Sequence, residues 1–117
     1  MTLWEGNHMY PHDVIESDWK LFRTKLPEWQ EAYMEKLNKD YIRLLTDPGN
    51  ASDKFFALEK RISKDKRGTG VTAEMRRSMM FSNFIDLLRD GVITLDDLEG
   101  FSDELREKLA LMTAEGT

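Results

Sequence analysis

The two histidines of this 117-residue chain lie four positions apart, at His8 and His12. On a helix this spacing brings two imidazoles to one face, where they can bind a metal ion. Pro11 lies between them and argues against a regular helix, and Asp13 is the nearest further ligand. We interpret the pair as solvated histidines on an irregular N-terminal arm, residues 1–12. No metal site is predicted, and a Ser-His-Asp hydrolase would have to draw its histidine from this arm.

A second constellation, between Asp86 and Asp97, overlays part of a calcium-binding loop. Asp86 and Asp90 match the first and fifth positions of an EF-hand loop, and Gly91 matches its central turn. Leu88 stands at the third position, where an oxygen ligand is required, and Asp97 replaces the bidentate Glu at the twelfth. The pattern therefore favours a structural role, in which Gly91 ends a helix in the left-handed conformation.

A basic segment stands out in a chain whose net charge is −5. Residues 60–77 contain seven basic and two acidic residues, whereas residues 90–107 contain seven acidic and one basic. This contrast predicts either a surface that contacts nucleic-acid phosphates or a solvated hinge that faces the acidic C-terminal segment. The helix that follows begins without a cluster of Asn, Gln or Ser to contact bases, which favours the hinge. The basic residues are Lys60, Arg61, Lys64, Lys66, Arg67, Arg76 and Arg77.

Apolar side chains on two sides of a predicted fourth helix indicate a contact surface. Met75 and Met79 fall on the stripe expected to face the core, together with Leu88 further along the helix. Met80 and Phe84 point elsewhere if that stripe is buried. A helix that is apolar on more than one side is either central in its bundle or buried against a partner. The candidate interaction surface is Met75, Met79, Met80 and Phe84.

The elements that position these residues are predicted to be helices in one domain, because no segment alternates with the period of a strand. Trp29, Tyr33, Leu37, Tyr41, Leu44 and Leu45 recur at spacings of three and four and predict a helix over residues 27–46. A short helix capped by Ser17 precedes it, and Pro27 fits the first turn of the longer helix. A third helix is predicted over residues 53–66, with its apolar side chains inward: Phe55, Phe56, Leu58 and Ile62.

The C-terminal half continues the same pattern. Thr72 is expected to cap a fourth helix over residues 73–90. Residues 95–112 form either one helix or two, and we favour a break at Gly100 with Ser102 as a new N-cap. Thr94 and Asp97 have the spacing of a capping box. The expected fold is all-α, a compact bundle of five or six helices over residues 13–112, with a frayed tail at 113–117.

Composition limits the classes of protein to which this chain belongs. Forty per cent apolar residues, with three Trp and six Phe, suffice for a folded core. The absence of cysteine excludes disulfides, thiolate zinc sites and thiol catalysis. The first ten residues lack the charged and apolar regions of a secretory signal, and no apolar stretch approaches the roughly 20 residues of a membrane span. We therefore expect a cytoplasmic protein without a membrane segment.

Two stretches of the chain resemble a family of small bacterial cytosolic all-helical proteins of unknown function. The first runs from Trp19-Lys20-Leu21-Phe22-Arg23 to Leu26-Pro27-Glu28-Trp29-Gln30-Glu31-Ala32-Tyr33-Met34. The second runs from Met75-Arg76-Arg77-Ser78-Met79 through Leu87-Leu88-Arg89-Asp90-Gly91-Val92-Ile93-Thr94 to Asp97-Leu98-Glu99-Gly100-Phe101-Ser102. The resemblance covers most of residues 17–112. It implies a bacterial origin and supplies no catalytic residues.

These observations predict a non-enzymatic protein-interaction or regulatory module without a cofactor. Its partner is another protein or a second copy, bound through the methionine-rich helix or through pairing of basic with acidic segments. The alternative is a nucleic-acid-binding protein that uses residues 60–77. An enzyme is a third hypothesis, and its only route is a metal held by clustered carboxylates such as Asp86, Asp90, Asp96 and Asp97.

Overall fold

A computed structural model describes residues 15–115 of the chain. Within that range there are four α-helices and no strand, so the all-α class is confirmed and the expected number of five or six helices is wrong. Two short 3-10 turns, Arg77–Met79 and Leu95–Leu98, account for part of the difference. The helices are α1 (Glu16–Thr46), α2 (Ala51–Asp65), α3 (Met80–Arg89) and α4 (Asp103–Glu115).

Helix α1 runs without interruption through Pro27, where the sequence predicted a boundary between two helices. Proline removes one backbone hydrogen bond and leaves the carbonyl of Arg23, four residues earlier, without its helical donor. Both Arg23 and Pro27 are exposed, so water can reach that carbonyl. Leu26 and Trp29, on either side of the proline, pack in or against the core. Tertiary packing therefore holds the helix together across a residue that would end an isolated one.

The N-terminal half of α1 packs with α3, α4 and the 3-10 turn at Leu95–Leu98 to form the body of the molecule. Phe84 lies at the centre of an aromatic cluster, with its ring 4.8 Å from Phe22, 5.2 Å from Phe101 and 6.1 Å from Trp29. The remaining buried members of this core are Trp19, Leu26, Met80, Leu87, Ile93, Leu98, Leu105 and Leu109.

A buried carboxylate joins the two ends of the body. Asp18, in the first turn of α1, accepts hydrogen bonds from the Ser102 backbone N–H (2.8 Å) and hydroxyl (2.6 Å). The Ser102 hydroxyl oxygen accepts in turn from the Leu105 N–H at 3.2 Å. The predicted break and new N-cap at Ser102 are therefore confirmed. The capping box is confirmed as well, since Asp97 Oδ2 accepts from the Thr94 N–H at 2.7 Å.

The predicted fourth helix begins later than expected. Residues 73–76 form no regular element, a 3-10 turn follows, and α3 starts at Met80 rather than after Thr72. Asn83, which is buried, donates from its side chain to the carbonyl of Glu74 at 2.9 Å and fixes the preceding segment against α3. At the other end, Gly91 adopts a φ of +74°, which confirms it as the residue that ends the helix.

The second half of α1 and all of α2 extend away from the body as a two-helix hairpin. A compact domain of this length has a radius of gyration of about 13 Å, whereas this one measures 17.9 Å. The expectation of a compact bundle is therefore wrong. Helix α4 continues to Glu115, past the expected boundary at residue 112, and the Thr113 hydroxyl donates to the Leu109 carbonyl at 2.9 Å. The predicted arm, residues 1–12, lies outside the described residues.

Candidate protein interface on the distal hairpin

The distal hairpin, defined here as residues 31–67, is closed at its tip by the turn Asp47-Pro48-Gly49-Asn50. Gly49 has a φ of +151°, in a region that favours glycine. The Lys54 ammonium donates to the Leu45 carbonyl at 3.0 Å, which satisfies an acceptor at the end of α1. These contacts bring α2 back along α1 in the antiparallel direction.

Polar contacts line one edge of the hairpin. Arg61 donates to Asp65 at 3.1 Å and to Asp40 at 3.3 Å, so it joins the two helices. The Tyr41 hydroxyl donates to the same Asp65 carboxylate at 2.5 Å. Burial, followed by the hydrogen bond to this carboxylate, raises the pKa of Tyr41 to about 12. A neutral phenol therefore holds this bond at physiological pH.

Apolar side chains occupy the other edge. Each residue advances a helix by about 100°. On α2, Ile62 therefore projects about 100° from Arg61 around the helix axis. On α1, Leu45 projects about 140° from Asp40. Phe55 lies seven residues before Ile62 and shares its stripe. The distal apolar face consists of Ile42, Leu45, Phe55, Phe56 and Ile62, all of them exposed.

The two phenylalanines form the centre of this face. Phe55 is 67% exposed and Phe56 is 62% exposed, and their rings lie edge to face with centroids 5.3 Å apart. The predicted inward position of Phe55, Phe56 and Ile62 is therefore wrong. The reason is geometric: α2 packs against α1 alone, and a single neighbouring helix cannot cover so wide an apolar stripe. No residue of α2 is buried.

The methionine-rich surface predicted from the sequence is divided by the structure. Met80 and Phe84 are buried in the core of the same chain, so their assignment to an interaction surface is wrong. Met75 and Met79 precede α3, and the stripe that α3 buries in the core runs through Met80, Phe84 and Leu87, at spacings of three and four. Met75 is exposed and Met79 is half-buried. The exposed apolar side chains lie instead on α2, for which the sequence predicted no interaction surface.

The seven residues of the predicted basic segment do not form one patch. Arg61 pairs with Asp40 and Asp65 inside the hairpin, Arg76 pairs with Glu74, and Arg77 pairs with Glu16 at the start of α1. The hydrogen bond from Arg77 is the main cause of a lowered pKa at Glu16. The remaining four are exposed near the end of α2: Lys60, Lys64, Lys66 and Arg67.

A network of glycine and polar contacts attaches the base of the hairpin to the body. Gln30 donates to the Thr69 carbonyl at 2.9 Å, and the Thr69 hydroxyl donates to Asp90 at 3.0 Å. Gly70 is buried flat against the ring of Tyr33, where an added Cβ would lie 2.1 Å from Tyr33 Cδ2. Burial raises the pKa of Tyr33 here. A polar cleft of about 440 Å³ opens beside this network, between Lys64 and Asp90.

The calcium-loop pattern and the carboxylate cluster considered in the sequence analysis form no assembled metal site in the described residues. The Asp90 carboxylate accepts a hydrogen bond from the Thr69 hydroxyl, and the Asp97 carboxylate accepts one from the Thr94 N–H. Neither carboxylate is therefore arranged as a calcium ligand. Among residues 15–115, no three His, Asp or Glu side chains are grouped so that they could hold a metal ion. His8 and His12 lie outside the described residues.

A second groove, apolar and about 460 Å³ in volume, runs between α3 and α4 near Leu88 and Met112.

Comparison with known proteins identifies no relative. No protein-family model, curated protein or solved structure matches this chain. The resemblance to a family of small bacterial proteins therefore stays a prediction.

Across the part of the chain that the structure describes, none of the helices has the length and apolarity that crossing a bilayer requires.

Proposed function

We propose that this chain is a non-enzymatic protein-interaction module that binds a helical partner on its distal apolar face. The observation that carries the proposal is the pair Phe55 and Phe56, two large apolar side chains left mostly in solvent by a helix with no buried residue. The resemblance noted above supports a bacterial cytosolic setting for this partner.

The size of the face supports binding rather than ordinary surface exposure. A phenylalanine buries about 150–250 Å², so the exposed fractions of Phe55 and Phe56 correspond to roughly 250 Å² together. Ile42, Leu45 and Ile62 enlarge the patch to several hundred Å², the size of the largest apolar patch on a typical monomer, which is often functional. At about 25 cal/mol per Å², covering the two rings alone contributes about 6 kcal/mol before the entropic cost of association.

The form of the face indicates the form of the partner. Two antiparallel helices present a shallow apolar stripe, and another helix can place side chains spaced three and four residues apart along it. Apolar side chains dominate the stripe, and one exposed carboxylate, Glu59, lies on its α2 side, four residues after Phe55 and three before Ile62. A partner with an apolar helical face therefore fits better than an extended charged peptide.

Nucleic-acid binding through residues 60–77 has weaker support. Phosphate contacts need exposed cations on a common surface, whereas Arg61, Arg76 and Arg77 each pair with a carboxylate of this chain. The remaining cations cluster at the end of α2, without a neighbouring helix placed to enter a groove. A salt-dependent affinity for duplex DNA that falls when Lys64, Lys66 and Arg67 are changed to Ala would favour this alternative.

Photo-crosslinking tests the proposal directly. A photoreactive phenylalanine analogue replaces Phe56, and a matched control carries it at Leu111, which is also 62% exposed but lies on α4 in the body. We expect a discrete crosslinked species in the cells that encode the protein from position 56 and none from position 111. Equal labelling from both positions, or none from position 56, would contradict the proposal.

A further inference from the structure

We infer that the occupant of the distal apolar face is a second copy of this chain, so that two distal hairpins pack antiparallel into a four-helix bundle with the bodies at opposite ends. This inference rests on the proposed function and assigns the partner. Its first support is architectural. Two antiparallel helices with one uncovered apolar face are half of a four-helix bundle, and a twofold axis supplies the missing half with the same residues.

The distribution of charge favours a second copy and fixes its direction. The distal hairpin holds nine basic and seven acidic residues, so it is close to neutral. The rest of the chain holds eight basic and fifteen acidic residues, so it carries a net charge of −7 against +2 for the hairpin. Two hairpins therefore repel each other much less than two bodies do when they are placed side by side. Antiparallel packing keeps the bodies apart.

The length of the hairpin sets the strength of the dimer. Helix α2 has 15 residues and is therefore about 22 Å long, and two helices side by side are about 20 Å wide. Their projected contact of roughly 450 Å² is smaller than the about 600–1,000 Å² of accessible surface that each partner of a standard specific interface buries, and it is typical of weak, transient contacts. We therefore expect a dimer that dissociates at micromolar concentrations.

The twofold arrangement predicts distances that other arrangements do not. Arg77 pairs with Glu16, so Ser78 lies at the level of the start of α1, about 34 Å along the helix from the middle of the hairpin near residue 39. Antiparallel packing separates the two Ser78 residues by about 70 Å. Ser52, at the tip, lies only about 12 Å from the same middle. Two Ser52 residues are then about 25–35 Å apart.

Sedimentation velocity of the purified full chain gives the first test. We expect the mass to rise from 13.7 kDa to twice that value between about 1 and 300 µM, a range set by the expected micromolar affinity. Phe55→Ser with Phe56→Ser should weaken dimerisation at least tenfold, and Leu111→Ser should leave it unchanged. Circular dichroism checks that each variant stays helical. A monomer throughout, or a dimer indifferent to Phe55 and Phe56, overturns the inference.

Spin-label distances provide the second test. The chain has no cysteine, so Ser52→Cys and Ser78→Cys each introduce a single labelling site. A short distance at position 52 with a long one at position 78 is the expected result, and a distance below about 40 Å at position 78 overturns the antiparallel arrangement. A monomer in both tests, combined with a crosslink from position 56 to a different protein, would refute self-association while leaving the proposed function intact.

Discussion

The contact between Gly70 and Tyr33 gives a sharp test of how the hairpin is attached to the body. Replacing Gly70 by Ala places a Cβ 2.1 Å from Cδ2, 2.5 Å from Cε2 and 2.9 Å from Cγ of the Tyr33 ring. No side-chain contact persists at such distances, so either the ring or the loop must move. Overpacking of this kind costs about 1–3 kcal/mol of unfolding free energy. At about 4 °C per kcal/mol, we expect Tm to fall by roughly 8 °C.

A matched control lies two residues earlier in the same loop. A Cβ added at Gly68 would lie 3.5 Å from the Asp65 carbonyl oxygen, an ordinary contact distance. Gly68→Ala should therefore leave the stability unchanged or raise it by about 0.4–1 kcal/mol, because the unfolded chain loses conformational freedom. Urea unfolding followed by circular dichroism measures both variants under identical conditions.

A double-mutant cycle identifies the cause of the penalty. In a Tyr33→Ala background the ring is absent, so Gly70→Ala should cost less than about 0.5 kcal/mol. The argument fails if Gly70→Ala unfolds with the same free energy as the native chain. It fails equally if the penalty persists after the ring is removed, because the steric cause would then be wrong.

Three other measurements test separate parts of the structure. Asp18→Ala should cost about 1–3 kcal/mol in urea unfolding, because it removes the acceptor of the half-buried Ser102 hydroxyl and N–H. A loss below about 0.5 kcal/mol would contradict that role. The phenol of Tyr41 should ionise near pH 12 in the folded chain rather than near 10, so stability should decline as pH rises from 10 to 12. Tyr41→Phe should remove that part of the decline, together with the ultraviolet absorbance change of the phenol that ionises near pH 12. At concentrations low enough for the chain to be monomeric, Phe56→Ser should change stability by less than about 0.5 kcal/mol, whereas Phe84→Ala should cost about 3–5 kcal/mol. Similar losses from the two under these conditions would mean that the hairpin face is covered within the monomer.

Features determined by a few neighbouring residues could be predicted from the sequence. Gly91 ends a helix because it tolerates a positive φ, Thr94 and Asp97 form a capping box because they lie three apart, and Ser102 caps α4. Each depends on backbone chemistry within a single turn. The helix over residues 53–66, predicted with an apolar stripe, is confirmed as α2, with boundaries shifted by one or two residues.

Features determined by distant packing could not be predicted in this way. Pro27 predicts a helix boundary on local grounds, but the contacts of Leu26 and Trp29 with the core keep α1 continuous. Periodicity shows that Phe55 and Ile62 share a stripe, yet it does not show how many helices cover that stripe. The candidate site depends on that number. Only α1 packs against α2, so part of the apolar stripe of α2 stays exposed.

The continuity of α1 has a consequence for changes in chain length. One helix carries Phe22 in the body and Leu45 on the hairpin, so the number of residues between them determines the direction in which the hairpin faces. One residue inserted at position 31 would rotate everything beyond it by about 100° while lengthening the helix by only 1.5 Å. Insertions of seven residues, about two full turns, would nearly restore the orientation. The helical phase of this segment is therefore under tighter constraint than its length.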